Sequence, residues 1–66
     1  MKYITVIHED IKYYYEPMLN CWYPDSSIEY IHKFKIPDTS IKQHYRKACQ
    51  MWESTDTNIN DIVIQD

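Results

Sequence analysis

Glycine is absent from all 66 residues, and alanine, leucine and arginine occur once each, as Ala48, Leu19 and Arg46. Without glycine, the usual Asn-Gly type I′ hairpin turn is not on offer, so connections of three or more residues are expected between paired strands. No apolar run approaches the roughly 18 residues that a membrane-spanning helix needs. The N-terminus "MKYITVIHED" has neither the apolar stretch nor the small-residue cleavage site of a secretory leader. Cysteine occurs only at positions 21 and 49, which permits one bridge at most. A soluble, reduced, cytoplasmic protein with two free thiols is the expectation.

A chain this short makes a single domain, residues 1–66, and a domain of about 60 residues buries only some 60% of the surface its unfolded form exposes. Its stability is therefore thin, and an oligomer partner is a common remedy.

Ten isoleucines, seven tyrosines and six lysines dominate instead. Isoleucine and tyrosine suit a pleated, half-buried surface. The joint excess of isoleucine, lysine, tyrosine and asparagine also matches AT-rich codons, which points to a bacteriophage, a mobile element or a low-GC bacterium. The net charge is −3 and the sequence pI about 5.4. That is too acidic for a typical nucleic-acid-binding domain, whose pI tends to exceed about 9. It is also too mildly acidic for a protein that imitates DNA.

Along the chain, "KYITVI" (residues 2–7) reads as a strand, His8 to Asp10 as a polar turn, and residues 11–19 as a second strand. Pro17 cannot donate to a ladder and points the later part of that strand towards an edge or a bulge. "NCWYPDSS" (20–27) has turn chemistry. In "SIEYIHKFKI" the residues Ile28, Tyr30, His32, Phe34 and Ile36 alternate with Glu29, Ile31, Lys33 and Lys35, as in a half-buried antiparallel strand. A helix follows "PDTS", with Ser40 and Gln43 at capping-box spacing and Asp38 or Thr39 as alternative caps. Its apolar stripe is Ile41, Tyr45, Ala48, Cys49 and Trp52. It should fray near "ESTDT", and "DIVI" (61–64) closes the chain as a short strand. The expected fold is α+β: a small antiparallel sheet of about four strands in β-β-β-α-β order, with one helix packed on one face. That helix should pack on Ile28, Tyr30, Phe34 and Ile36. The other face should stay open, carrying Ile31, Lys33, Lys35 and either Tyr14 or the pair Tyr13 and Tyr15.

Few residues invite chemistry. Catalysis by Cys21 or Cys49 needs a base in reach and a cavity that excludes water, and no nucleophile signature surrounds either thiol. Cys49 reads as a small buried hydrophobe on the helix stripe. His8, His32, His44, the cysteines and the carboxylates include no CxxC and no HxxxH, so no metal and no cofactor is expected. His32, on the apolar face of the expected strand, reads as a hydrogen-bonded core residue or one at the sheet rim. No catalytic, cofactor-binding or metal-binding residue is assigned, and the chain is not expected to be an enzyme.

Aromatic surplus is the remaining signal, since tyrosine, tryptophan and methionine are enriched at interface cores. A chain of this size can hardly bury all nine tyrosines and tryptophans. The loop "LNCWYP" (19–24) offers Trp22 and Tyr23 as anchors. Tyr14, Ile31, Lys33 and Lys35 form the expected open face, and Glu53, Asp56 and Asp61 (with Asp66) an acidic C-terminal segment able to meet a basic groove. The reading is a small protein-binding module, phage or mobile-element encoded, that inhibits or modulates a host protein such as a polymerase, a nuclease or a defence complex. A single-strand nucleic-acid binder using the tyrosine-lysine face and a homo-oligomeric structural subunit are the alternatives; a membrane partner is not expected.

Overall fold

The computed structural model describes residues 1–52 and 58–66, and at 27–31 the backbone only. The fold is α+β: a four-stranded antiparallel sheet with one α-helix across it. The strands are β1 (Tyr3–His8), β2 (Ile11–Glu16), β3 (Cys21–Pro24) and β4 (Val63–Gln65), in spatial order β3-β2-β1-β4. Between β3 and β4 run a 3-10 helix (Asp25–Phe34), a 3-10 turn (Asp38–Ser40), helix α1 (Ile41–Met51) and a second 3-10 turn (Ile59–Asp61).

Strand alternation sorts the side chains onto two faces. Register pairs Val6 with Tyr13, Tyr15 with Trp22 and Ile4 with Ile64, so these residues share the face that α1 covers. There Ile4, Val6, Tyr15, Ile36, Ile41, Ala48 and Ile62 form the core, with Tyr13, Trp22, Tyr45, Cys49 and Trp52 packed around it. Trp52 closes one side, its ring 5.2 Å from Tyr13, 5.1 Å from Trp22 and 5.6 Å from His8. The stripe expected for the helix is therefore correct, and so is its β-β-β-α-β setting. Its expected partners are met only in part, and the side chains of Ile28 and Tyr30 lie outside the described residues. Of those expected, Ile36 is in this core, whereas Phe34 lies against Tyr23 on the opposite face, rings stacked at 5.4 Å.

That difference follows from the main correction. Residues 28–36, expected to form a strand, are helical up to Phe34, and the third strand is Cys21–Pro24, expected to be a turn. Trp22 and Tyr23 are the reason: one aromatic faces the core and pairs with Tyr15, the next faces the other way and pairs with Tyr14. Large aromatics favour a strand wherever each face offers something to pack on. Pro24 ends β3 on the sheet edge, where a missing N–H costs nothing, and Asp25 then lies in the first turn of the 3-10 helix, favourable for a carboxylate. The apolar positions Ile28, Ile31 and Phe34 also recur every third residue, the 3-10 repeat. Ile36 leaves the 3-10 helix and bonds with Lys2 through both backbone groups, at 2.9 and 2.6 Å.

The 3-10 helix packs across β2 and β3, so the second face of the sheet is not open at that end. Tyr14, expected as one candidate for an exposed face, is only 5% exposed. Its hydroxyl donates to Asp25 Oδ1 at 3.2 Å, its ring lies 6.0 Å from Tyr3, and Lys12 Nζ sits 5.7 Å from the ring centre.

Three smaller expectations also need correcting. The β1–β2 connection is a two-residue turn despite the lack of glycine: His8 pairs with Ile11, and Glu9 and Asp10 have φ of 51° and 66°. A type I′ turn matches the right-handed twist of the flanking strands, and the ladder enforces it against a cost of roughly 1–2 kcal/mol per residue. Ser40 occupies the N-cap position of α1 but makes no capping bond; its hydroxyl donates to Pro37 O at 3.3 Å. Pro17, expected to mark an edge or bulge within the strand, lies one residue beyond β2, which is an inner strand. The expected fraying at "ESTDT" falls on residues 53–57, outside the described residues.

Candidate functional site

The most unusual surface lies at the turn between β2 and β3. Glu16 pairs with Cys21, so the connecting loop is Pro17-Met18-Leu19-Asn20. Polar residues normally fill such positions. Here Met18 is 86% exposed and Leu19 68% exposed, adjacent to one another at the end of the sheet.

Two side chains from β2 hold this loop. The Glu16 carboxylate, itself buried, accepts the Leu19 backbone N–H at 2.5 Å. The Tyr15 hydroxyl donates to Asn20 Oδ1. Tyr15 is fully buried in the core, so the bond ties the loop directly to the core. Burial pushes the Tyr15 hydroxyl above its ordinary pKa, and the nearby Glu16 and Cys21 add to the effect. It therefore stays protonated, and able to donate, throughout the neutral range. Asn20 adopts φ 50°, the left-handed conformation that asparagine tolerates better than most residues. Pro17 removes backbone freedom at the loop's first position. Pro17, the Leu19 N–H and the Asn20 side chain thus each have a part in fixing the backbone.

The residues expected to bind a partner are distributed differently. Trp22 and Tyr23 are half-buried strand residues whose rings pack within the protein, Trp22 on Tyr15 and Trp52, Tyr23 on Phe34. Tyr14 is buried, as described above. Lys33 and Lys35 are exposed, but they follow the 3-10 path and do not line a sheet face with Tyr14. The side chain of Ile31 and the residues Glu53 and Asp56 lie outside the described residues. Asp61 is exposed, and its Oδ2 accepts the Asn58 N–H at 3.2 Å, completing a capping box with the Asn58 side chain. Of the loop "LNCWYP", the structure keeps Leu19 as an outward-facing residue and turns Trp22 inward.

Met18 counts in the sequence among the apolar residues a small core can hardly bury, but its loop and the two supports were missed because residues 11–19 read as one continuous strand. A signal was present: Glu16 stands three residues before Leu19, with Pro17 between them, a spacing at which a side chain can accept a turn N–H.

The thiols and histidines form no second centre. Cys49, under Tyr45 on α1, is pushed up from its ordinary pKa by burial, which keeps it a thiol at neutral pH and so a poor nucleophile. Among the described residues, no three histidine, cysteine or acidic side chains gather at metal-binding distance, and no helix is long and apolar enough to cross a membrane. Trp22 Nε1, Trp52 Nε1 and His44 Nδ1 are buried with no hydrogen-bond partner among the described residues. Set against models of protein families, curated protein sequences and solved structures, the chain matches none of them.

Proposed function

We propose that this chain is a non-enzymatic protein-binding module that inserts the Met18–Leu19 pair into an apolar pocket of its partner. The observation that carries this reading is the combination of exposure and restraint: two large apolar side chains stand in water on a loop fixed by Glu16 and Tyr15. An anchor ordered before binding loses less conformational freedom on association, and methionine adapts its shape to irregular pockets.

A stable interface buries about 800 Å² on each partner, roughly a sixth of the 4685 Å² this chain exposes. The two anchors therefore need surrounding contacts, and the module acts by covering a patch of its partner. Inhibition or modulation of a host protein by a phage or mobile-element product is the function we assign to that covering.

The test is an affinity pull-down from lysates of AT-rich bacteria, with and without nuclease, using the native chain beside a Met18→Ser/Leu19→Ser variant. A stoichiometric protein held by the native chain through nuclease treatment, and lost with the variant, is the expected result. Equal capture by both chains would remove the loop from the interface, and recovery of nucleic acid would reject the reading. Recovery of the chain alone would favour the homo-oligomer, for which the exposed Val63 and Ile64 on edge strand β4 supply a surface.

A further inference from the structure

Charge is distributed unevenly on this acidic chain. Helix α1 contains Lys42, Arg46 and Lys47 and no carboxylate, although the chain as a whole has net charge −3. All three cations are exposed, and among the described residues no carboxylate forms an ion pair with any of them. Lys42 stands in the first turn of α1, where the helix dipole disfavours a cation. A residue that works against its own helix is a common mark of a surface kept for something else.

Lys42 and Arg46 are four apart, hence on one side of the helix and about 6 Å apart along its axis. With Gln50 they rim a groove of about 450 Å³ between α1 and the segment at Ile59. Tyr45, Cys49 and Ile59 line it as well. The wall opposite the helix is held in place by Tyr45, whose hydroxyl donates to Ile62 O at 2.8 Å. The groove thus combines an apolar lining, a wall held by Tyr45 and a cationic rim with no carboxylate partner among the described residues.

We propose that this groove binds a short acidic segment of a protein, one that places an apolar side chain on Tyr45, Cys49 and Ile59 and carboxylates against Lys42 and Arg46. Charge complementarity selects an acidic occupant. The apolar lining selects one with an apolar anchor. A nucleic acid fits less well, because its phosphates continue beyond the short cationic stretch onto a protein of net negative charge, and favourable binding needs net phosphate neutralisation. The site is separate from the Met18–Leu19 loop, so serine substitutions there leave it intact and the two proposals fail independently.

The test is an amide NMR titration of the intact chain with three probes. One is a synthetic peptide with a glutamate pair four residues apart beside a leucine; the second has lysines in place of the glutamates; the third is oligothymidylate. The expected result is saturable shifts at Lys42, Arg46, Cys49 and Ile59 with the glutamate peptide alone. In Lys42→Glu/Arg46→Glu the glutamate peptide should bind roughly ten-fold more weakly, and the lysine peptide should gain binding at the same amides. Both positions are exposed, and a glutamate at 42 suits the helix N-terminus, so the variant's undisturbed core signals serve as the fold control. Equal shifts with both peptides, stronger saturation by oligothymidylate, shifts away from the groove, or no shifts at all would each overturn the proposal.

Discussion

The two tight connections in this sheet solve the same problem in opposite ways. Both lack glycine, and both use positive φ: Glu9 and Asp10 in the first, Asn20 in the second. The first is the shortest turn a hairpin allows, filled with exposed carboxylate residues and set in the ladder around it, with Glu9 Oε1 3.9 Å from His8 Nε2. The second is longer and is held by two side-chain bonds from inside the molecule, yet its tip is apolar. A turn that only needs to reverse the chain tolerates strain and carries charge. The second turn combines its two side-chain bonds with a tip that leaves Met18 and Leu19 exposed.

The comparison can be broken most severely from the core. Tyr15→Ala removes both the central aromatic of the core and the Asn20 bond, and large-to-small changes of this kind cost about 3–5 kcal/mol. In so small a domain that should abolish cooperative thermal unfolding. Met18→Ser/Leu19→Ser should change stability by no more than about 0.5 kcal/mol while abolishing partner capture. A denaturant melt of both variants separates the two roles.

A milder change isolates the brace. Glu16→Ala leaves the Leu19 N–H without its acceptor and should cost about 1–3 kcal/mol in urea unfolding. The sharpest contrast comes from placing glycine in each turn. Asp10→Gly relieves a left-handed residue that has no compensating bond and should stabilise the chain by about 0.5–1 kcal/mol, part of the relief being offset by the greater freedom of the unfolded chain. Asn20→Gly should instead destabilise by about 1 kcal/mol, because it removes the acceptor of the Tyr15 hydroxyl. Melting both variants beside the native chain tests whether the second turn depends on side-chain bonding as the first does not.

Alkaline pH reports on the same core. Tyr14, Tyr15 and Tyr45 all have pKa values raised above the usual 10, burial being the largest cause in each case. An acid whose folded pKa is raised holds its proton longer in the folded state, so the folded form binds more protons once pH exceeds the unfolded value. Their contribution is fully present below about pH 10 and is lost as pH rises above it. Urea midpoints should stay level with respect to tyrosine ionisation up to that point and fall beyond it. Tyr15→Phe should reduce the fall.

The fold class, the first two strands, the helix stripe and the short last strand were legible in the sequence because each rests on one strong period. The third strand was not. Residues 28–36 satisfy a repeat of two and a repeat of three at once, and only the sheet edge offered by Cys21–Pro24 decides between them. Tyr14 could be assigned to the face opposite Tyr15 but not to burial, since its cover is the 3-10 helix that the period-two reading had made a strand. The I′ turn was hidden by relying on glycine as its marker, when the ladder alone can enforce it. The Met18–Leu19 site was obscured for a related reason: its supports, Glu16 and Tyr15, are ordinary strand residues until the turn brings Leu19 and Asn20 back to them.

The account stands most directly on one measurement, the backbone ¹⁵N relaxation of Met18 and Leu19 in the unbound chain. A loop held by Glu16 and Tyr15 predicts order parameters near the rigid value of about 0.85 at both residues. Values below about 0.6 would describe a flexible loop and contradict the claim that this chain presents its apolar anchors already fixed.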